Sequence, residues 1–188
     1  MQRFITLAFN TLLLLSLNAA TPETHYTVIV SLDGFRWDYP DMYKTPNLDR
    51  MAADGVKAVM LPSYPASTFP NHYTLATGLV PDHHGIINNT FWDVKNRRQY
   101  SMGDSATRNN PEYYLGEPIW ITAQKQGVKT GNMYWVGSDI AIKKSHPTYY
   151  RPWNAKPFLT FEQRIDTVLT WLQKPEPERP RLIMLYFE

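Results

Sequence analysis

Thr68 is the residue whose position in the sequence is most suggestive of chemistry. It opens a predicted helix in the string Pro65–Gly78, in which Pro70 suits the first turn and Gly78 suits the stop. A threonine at a helix N-cap commonly satisfies a free backbone amide. The same position attracts phosphate, and a hydroxyl there becomes a nucleophile if a nearby cation lowers its pKa. The local sequence leaves both roles open.

Asp33 is the carboxylate that could hold such a cation. It follows the continuous β-prone run Tyr26–Leu32, a pattern typical of a strand covered on both faces. A buried parallel strand would then deliver Asp33 to its carboxyl end. The pair Asp33-Gly34 is equally typical of a simple turn, and spacing alone does not decide between the two.

Helices and strands alternate along the rest of the chain. Helices are predicted from Thr45-Pro46 to Gly55 with Leu48 and Met51 inward, from Thr68 to Gly78, from Glu117-Pro118 to Gly127, and after the capping box Thr160-x-x-Gln163 with an apolar stripe of Ile165, Val168, Leu169 and Leu172. Further strands are predicted at 56–61, 128–135 and 181–187. This order predicts an α/β sheet with ligands beyond the carboxyl ends of its strands.

Composition limits the function classes. The chain has 188 residues, 43% of them hydrophobic, which is enough for one sizeable core. It has no cysteine, so any metal would bind oxygen and imidazole ligands. Without residues 1–20, which contain Arg3 and no acid, 18 basic and 17 acidic residues remain, a formal charge of +1. This near-neutral charge does not indicate a protein that binds duplex nucleic acid, which would need an excess of basic residues.

Residues 1–20 are typical of a secretory signal peptide. Arg3 precedes an apolar stretch from Phe4 to Leu17, and the small residues Ala19 and Ala20 follow. The alternative is a membrane anchor, but the run is shorter than the roughly 20 residues that a span needs. We expect residues 21–188 to form the mature portion, secreted or periplasmic, with no stable membrane span after cleavage.

Several short motifs occur in a fixed order along the chain. They are Val30–Arg36 (VSLDGFR), Thr45–Leu48, Thr68–Tyr73 (TFPNHY), Thr77–Leu79, His84–Ile86, Gly116–Trp120 and Trp135–Asp139. As an ordered set they closely resemble the nucleotide pyrophosphatase/phosphodiesterase family, a branch of the alkaline phosphatase superfamily. The resemblance implies an alkaline-phosphatase-like α/β fold, with a mostly parallel central sheet and helices on both faces. It also implies that residues 21–188 are the N-terminal portion of a catalytic domain, truncated at its C-terminal side.

The resemblance assigns roles to individual residues. Asp33 matches the first metal-binding aspartate, and Thr68 matches the nucleophile, itself a metal ligand. Asn89 matches the asparagine that holds a phosphate oxygen, with Asn88 as the less favoured choice. Phe69 matches one of the two rings that enclose a nucleotide base. Trp153 aligns approximately with the other ring, which is a tyrosine in the family, so the residue differs here but its aromatic character is kept. Because the alignment is gapped before Trp153, Tyr149 and Tyr150 remain alternatives for the second ring.

Two divalent metal ions, most simply Zn²⁺, are implied as cofactors. The family's metal-binding histidines come later, in an Asp-x-x-x-His motif, an Asp-His pair and a final His, and none of these motifs occurs in this chain. We therefore expect His72, His83 and His84 to be structural. The 188 residues alone are expected to be inactive.

The implied function is metal-dependent hydrolysis of phosphodiester or pyrophosphate bonds in nucleotide-type substrates, through a phospho-threonine intermediate. Two alternatives stay open. A sister enzyme acting on phosphonates, phosphomonoesters or sulfate esters would share Asp33 and Thr68, and an inactive fragment or binding module would share the fold.

Overall fold

Residues 24–188 are described by a computed structural model, and the predicted signal peptide at 1–20 lies outside them. The strands in this range are β1 (Thr27–Leu32), β2 (Thr90–Asp93), β3 (Arg98–Ser101), β4 (Thr130–Met133), β5 (Tyr149–Arg151) and β6 (Leu182–Phe187). The helices are α1 (Tyr39–Met42), α2 (Pro46–Asp54), α3 (Thr68–Thr77), α4 (Pro81–His84), α5 (Ser105–Arg108), α6 (Ile119–Lys125) and α7 (Phe161–Leu172), with a 3₁₀ turn at Pro111–Tyr113.

A four-stranded parallel sheet organises the described residues. Its strand order is β1-β6-β4-β5, and every neighbouring pair runs parallel. Strands β2 and β3 form a separate antiparallel hairpin. The prediction of an α/β fold with a mostly parallel central sheet is therefore confirmed.

The inner strands β4 and β6 carry the core. All six residues of β6 and all four of β4 are buried, so both faces of the sheet are covered there. This agrees with the unbroken apolar run predicted as a strand at 181–187. Helix α7 packs closely on β4, since a Cβ atom added to Gly131 would lie 2.8 Å from a ring carbon of Trp171.

Strand β1 departs from the prediction that it is covered on both faces. Val28, Val30 and Leu32 are 45%, 53% and 38% exposed. The physical reason is its place at the edge of the sheet: β1 pairs with β6 on one side, and nothing within residues 24–188 pairs with its other side.

Three further details correct the sequence predictions. Residues 56–61 form no strand, and Val56 and Leu61 are 92% and 87% exposed, because no neighbouring strand of the described sheet pairs with them. Helix α7 buries Arg164, Val168 and Trp171, whereas Ile165 and Leu169 of the predicted stripe are 45% and 49% exposed. In α2, Met51 is 69% exposed.

Helix boundaries otherwise follow the predicted signals. Thr160 accepts from the Gln163 backbone N–H while the Gln163 side chain accepts from the Thr160 N–H, the reciprocal capping box. Helix α2 begins after Thr45 and ends at Gly55. Helix α3 begins one residue earlier than an N-cap at Thr68 predicts, with Ser67 in the cap position and Thr68 as the first helical residue, and it ends at Gly78 in the left-handed conformation.

Candidate active site

Asp33 lies at the carboxyl end of β1, as predicted. Its backbone N–H donates to the Phe187 carbonyl at 2.8 Å, which extends the β1–β6 ladder by one step. Since Leu32 pairs with Phe187 in register, Asp33 lies just beyond the carboxyl ends of β1 and β6. This is the edge at which parallel sheets bind ligands.

Thr68 is brought to the same edge by the loop before α3. The Asn71 side chain holds that loop: its Oδ1 accepts from the Ser63 backbone N–H at 2.8 Å, and its Nδ2 donates to the carbonyls of Pro65 and Ser67 at 2.9 and 3.0 Å. The first turn of α3 is thereby tied to the segment that precedes it. Thr68 itself is half-buried.

The Asp33 carboxylate accepts hydrogen bonds from two hydroxyl groups. Thr68 Oγ1 donates to Asp33 Oδ2 at 3.0 Å, and the Tyr186 hydroxyl donates to the same oxygen at 2.9 Å. Burial and the adjacent Asp33 carboxylate raise the pKa of Tyr186, so its hydroxyl stays protonated and remains a donor. Thr68 and Asp33 are therefore in direct contact, and Tyr186 helps to orient the Asp33 carboxylate.

Asn89 lies beside the start of α3. Its Oδ1 accepts from the Phe69 backbone N–H at 2.9 Å, and this partner fixes the side-chain amide, because only the carbonyl oxygen can accept. The Nδ2 group is therefore the end that can donate to a ligand. Asn88, the less favoured choice, is exposed, and its Oδ1 accepts from Ser67 Oγ at 3.1 Å and from the Asn89 N–H at 2.8 Å.

Phe69 and Trp153 line one pocket together with Thr68 and Asp33. The pocket has a volume of about 460 Å³, within the range usual for small-ligand sites. Trp153 is 37% exposed and its ring packs edge-to-face against Tyr134, Phe158 and Tyr186, with centroids 5.4, 4.9 and 6.0 Å away. The Trp153 side chain thus keeps part of its surface exposed where it lines the pocket.

Tyr149 and Tyr150, the alternatives to Trp153, are not among the residues that line this pocket. Tyr149 stacks on Trp171, and its hydroxyl donates to the Glu178 carbonyl. Tyr150 stacks on His146 with ring centroids 4.7 Å apart. The structure brings Trp153, and neither tyrosine, into the space beside Thr68.

A second cavity of about 630 Å³ opens on the other side of Thr68. Asn89, Ser67 and His72 line it, whereas Phe69 and Trp153 do not. Thr68 and Asp33 line both cavities. The Thr68 hydroxyl and the Asp33 carboxylate therefore lie between the aromatic pocket that contains Phe69 and Trp153 and the cavity that contains Asn89.

Several pocket residues were missed by the sequence reasoning. Tyr186 lies inside the predicted strand 181–187, where a tyrosine near the carboxyl end was the available signal. Arg108 lines the aromatic pocket, is 9% exposed, and within the described residues has no carboxylate within ion-pair distance. Tyr134 adopts the left-handed conformation, with a φ of 55°, directly after β4, which places its ring against Phe158.

The three histidines considered at the sequence level lie in different settings. His72 is buried between α3 and β1, and His84 is fully buried beside Tyr73. Burial lowers the pKa of both below the usual 6.5. His83 is exposed next to Asp82. Within residues 24–188, no three His, Cys, Asp or Glu side chains are grouped so that they could hold a metal ion together.

Comparison with known proteins identifies the chain's family. Residues 27–188 match the family model described as type I phosphodiesterase / nucleotide pyrophosphatase. The chain belongs to this family. The match confirms the resemblance inferred from the ordered motifs, and it spans every element of the site.

Characterised relatives in this family are much longer than the chain. Ectonucleotide pyrophosphatase/phosphodiesterase family member 3 of Bos taurus is 42% identical over 164 residues, which are 86% of this chain and 18% of the relative. Family member 1 of Homo sapiens is 44% identical over 169 residues, or 88% and 18%. Venom phosphodiesterase 2 of Crotalus adamanteus is 40% identical over 164 residues, or 86% and 20%. The chain spans about a fifth of the length of these relatives.

Solved structures show the same fold. Murine ectonucleotide pyrophosphatase / phosphodiesterase 5 superimposes with a TM-score of 0.78 at 34% identity, covering 87% of this chain and 43% of the murine one. An inactive form of that protein, in which a threonine is replaced by alanine, has been solved in complex with AMP and matches equally well. The human counterpart has a TM-score of 0.76 at 35% identity and the same coverage.

Proposed function

We propose that the protein hydrolyses phosphodiester or pyrophosphate bonds of nucleotide-type substrates, with Thr68 as the nucleophile and residues 21–188 as the N-terminal portion of the catalytic domain. The observation that carries this proposal is the hydrogen bond of 3.0 Å from Thr68 Oγ1 to Asp33 Oδ2, at the start of a helix and at the carboxyl edge of a parallel sheet. Membership of the type I phosphodiesterase / nucleotide pyrophosphatase family supports it, as does the similarity to ectonucleotide pyrophosphatase/phosphodiesterases.

Asp33 and Thr68 fit a divalent cation, for which we propose Zn²⁺ as one of two. Both are oxygen donors, and Asp33 takes both hydroxyl donors on Oδ2, so that within the described residues Oδ1 is left without a hydrogen bond. Bound cations would supply Lewis acidity that lowers the pKa of the threonine hydroxyl and of an attacking water. Two ligands alone would bind a cation weakly, so we expect the 188-residue chain by itself to be inactive.

The first chemical step forms a bond from Thr68 Oγ1 to phosphorus. The hydroxyl gives up its proton to solvent as the bond from phosphorus to the leaving oxygen breaks, and the leaving oxygen takes up a proton from solvent, so that no proton is gained or lost overall. Asn89 Nδ2 is placed to donate to a phosphoryl oxygen, because Phe69 N–H already holds its Oδ1. Such a donor stabilises the negative charge that develops on the phosphoryl oxygens.

The second step regenerates Thr68. Water attacks phosphorus in the phospho-threonine, which still carries the retained ester group of the substrate. The bond from Oγ1 to phosphorus breaks as Oγ1 takes up a proton from solvent, and a nucleoside monophosphate or phosphate ester leaves. Tyr186 and Asp33 keep Oγ1 at the same position for the return of its proton. Both steps use one nucleophile site, which is why the contact between Thr68 and Asp33 carries the proposal.

The aromatic pocket is the proposed binding site for the nucleoside. Phe69 and Trp153 offer rings on which any base can stack. The structure of a family member with AMP supports a nucleotide as ligand. Arg108, a buried cation in the same pocket, would pair with negative charge on the substrate.

We propose a secreted or periplasmic location. The signal-peptide pattern at residues 1–20 supports it, as does the similarity to venom phosphodiesterases. Within the described residues, no helix is long and apolar enough to cross a membrane.

The test is a hydrolysis assay on the protein expressed from its complete gene. With added zinc and bis-p-nitrophenyl phosphate, Thr68→Ala should lower kcat by about 10³-fold or more, since a nucleophile is lost. Thr77→Ala is the matched control, because Thr77 is half-buried in the same helix and donates to the Tyr73 carbonyl, away from Asp33. Acid quenching followed by peptide mass spectrometry should find a p-nitrophenyl phosphoryl group on Thr68.

Two results would contradict the proposal. One is full activity in folded Thr68→Ala, and the other is faster turnover of p-nitrophenyl phosphate than of the diester, which would favour a phosphomonoesterase. Zinc-dependent hydrolysis by the 188-residue chain alone, abolished by Thr68→Ala, would contradict the expectation that further ligands are required.

A further inference from the structure

The imidazole ring of His72 bridges the two backbone segments that carry Thr68 and Asp33. Its Nδ1 lies 2.8 Å from the Thr68 carbonyl oxygen, and its Nε2 lies 2.7 Å from Ser31 Oγ. A carbonyl can only accept, so Nδ1 carries the proton. In the neutral ring, Nε2 then accepts from the Ser31 hydroxyl.

Both contacts fall next to the reacting groups. Ser31 precedes Asp33 by two residues, so their side chains share one face of β1. The Thr68 carbonyl belongs to the residue whose Oγ1 contacts Asp33. Because an aromatic ring is rigid, its two nitrogen contacts determine how closely the first turn of α3 approaches the end of β1.

Neighbouring rings prevent His72 from turning away. Trp135 and Tyr186 pack edge-to-face on it, with centroids 5.4 and 5.0 Å distant. Trp135 Nε1 also donates to the His72 carbonyl at 3.2 Å. His72 is 5% exposed, so its ring has little contact with water.

We propose that His72, through Nδ1 to the Thr68 carbonyl and Nε2 to Ser31, is a positioning residue that aligns the Thr68 hydroxyl with Asp33. The proposal rests on the proposed function, in which Thr68 is the nucleophile. Protein groups occupy both ring nitrogens of His72, so neither nitrogen is free to bind the substrate. It acts on turnover through the geometry of Thr68, and a misplacement of about 1 Å can cost about 10²-fold in rate.

His84 is a matched control for a histidine that is only buried and hydrogen-bonded. It is 0% exposed, its Nδ1 accepts from the Ile86 backbone N–H at 3.2 Å, and its Nε2 lies 3.0 Å from Thr74 Oγ1. The proton is therefore on Nε2, which is the opposite tautomer to His72. None of its hydrogen bonds involves Thr68 or Asp33.

The first experiment determines the tautomers without any assay of activity. Long-range ¹H–¹⁵N correlation spectra of the full chain, assigned with the single variants His72→Asn and His84→Asn, should show Nδ1–H for His72 and Nε2–H for His84. A ring proton on Nε2 of His72 would overturn the proposal, because the Thr68 carbonyl would then have no donor from the ring.

The second experiment separates positioning from packing in the protein expressed from its complete gene. His72→Asn keeps a donor near Nδ1, whereas His72→Gln keeps a group near Nε2 and loses the contact with Thr68. We expect kcat to fall about 100-fold in His72→Gln and about tenfold or less in His72→Asn, with KM changed by less than about threefold in both. His84→Asn should leave kcat per folded molecule unchanged.

Ser31 provides a second variant pair if His72→Gln does not fold. Ser31→Ala removes the hydroxyl that holds Nε2 and should lower kcat about tenfold, and Ser31→Thr should restore it. Wild-type kcat in folded Ser31→Ala and His72→Gln overturns the proposal. If Thr68→Ala were fully active instead, the proposed function itself would fail, so the two failures are distinguishable.

Discussion

Replacement of Trp153 by alanine tests the aromatic pocket most directly. Stacking of a base on one ring contributes about 1–3 kcal/mol by alanine substitution. Since about 1.4 kcal/mol is tenfold in affinity, the inhibition constant of AMP should rise about 5- to 150-fold. Trp153→Tyr keeps a stacking ring and should change the constant by no more than about threefold.

The same substitution has a separate cost in stability. The Trp153 ring makes three edge-to-face contacts, with Tyr134, Phe158 and Tyr186, each contributing about 0.5–1.5 kcal/mol. We therefore expect Trp153→Ala to lower the free energy of unfolding by about 2–4 kcal/mol. Binding must accordingly be measured at a temperature at which circular dichroism shows the variant to be fully folded.

Tyr150 offers a matched control for this experiment. It is 36% exposed, against 37% for Trp153, and it stacks on His146 outside the aromatic pocket. Competitive inhibition by AMP would be measured in the protein expressed from its complete gene. An unchanged inhibition constant in folded Trp153→Ala, or an equal rise in Tyr150→Ala, would refute the assignment of Trp153 as a base-stacking residue.

Three further predictions concern stability, read by urea denaturation. Arg164→Leu should lower the free energy of unfolding by about 3–5 kcal/mol, because it leaves two backbone carbonyls without their buried donor. Glu188→Gln should lower it by less than about 1 kcal/mol, because the Glu188 side chain is 42% exposed. Equal effects of the two substitutions would contradict this reasoning. Gly131→Ala should cost about 1–3 kcal/mol, since the new Cβ lies 2.8 Å from Trp171, and a neutral result would show that the ring moves freely. Burial lowers the pKa of His84 below 6.5, so the unfolded chain binds more protons than the folded one and the free energy of unfolding decreases as the pH drops below 6.5 towards the folded pKa. His84→Gln should reduce this pH dependence by up to about 1.4 kcal/mol per pH unit. An unchanged slope of stability against pH would contradict the prediction.

The parts of the site that follow from local rules could be predicted from the sequence. Asp33 ends a β-prone run, and Thr68 begins a helix that stops at Gly78, so each could be placed at an element terminus. Their contact could not be derived from spacing, because it depends on how β1 and α3 pack together. The family resemblance supplied that pairing, and the hydrogen bond of 3.0 Å agrees with it.

The sequence predictions were wrong where local propensity was not matched by tertiary contacts. Residues 56–61 are as apolar as a strand, but a strand also needs a neighbour with which to form hydrogen bonds. In α7 the apolar stripe predicted Ile165 inward, whereas the structure buries Arg164. A buried arginine is unexpected from periodicity alone, and here the rings of Tyr134 and Phe158 and two backbone carbonyls surround its guanidinium.

The pairing of β1 with β6 explains why the pocket residues were the hardest to predict. Ser31 pairs with Tyr186 in the register of β1 and β6. Tyr186 therefore lies where its hydroxyl can donate to the Asp33 carboxylate and its ring can pack on His72. Tyr186 and Asp33 are 153 residues apart in sequence, beyond the reach of any local pattern. A shift of one residue in this register would turn Ser31 and Asp33 to the opposite face of β1 and away from both His72 and Thr68. The nucleophile contact and the His72 bridge therefore depend on the same strand register, which predicts that substitutions weakening β1–β6 pairing impair turnover before they unfold the core.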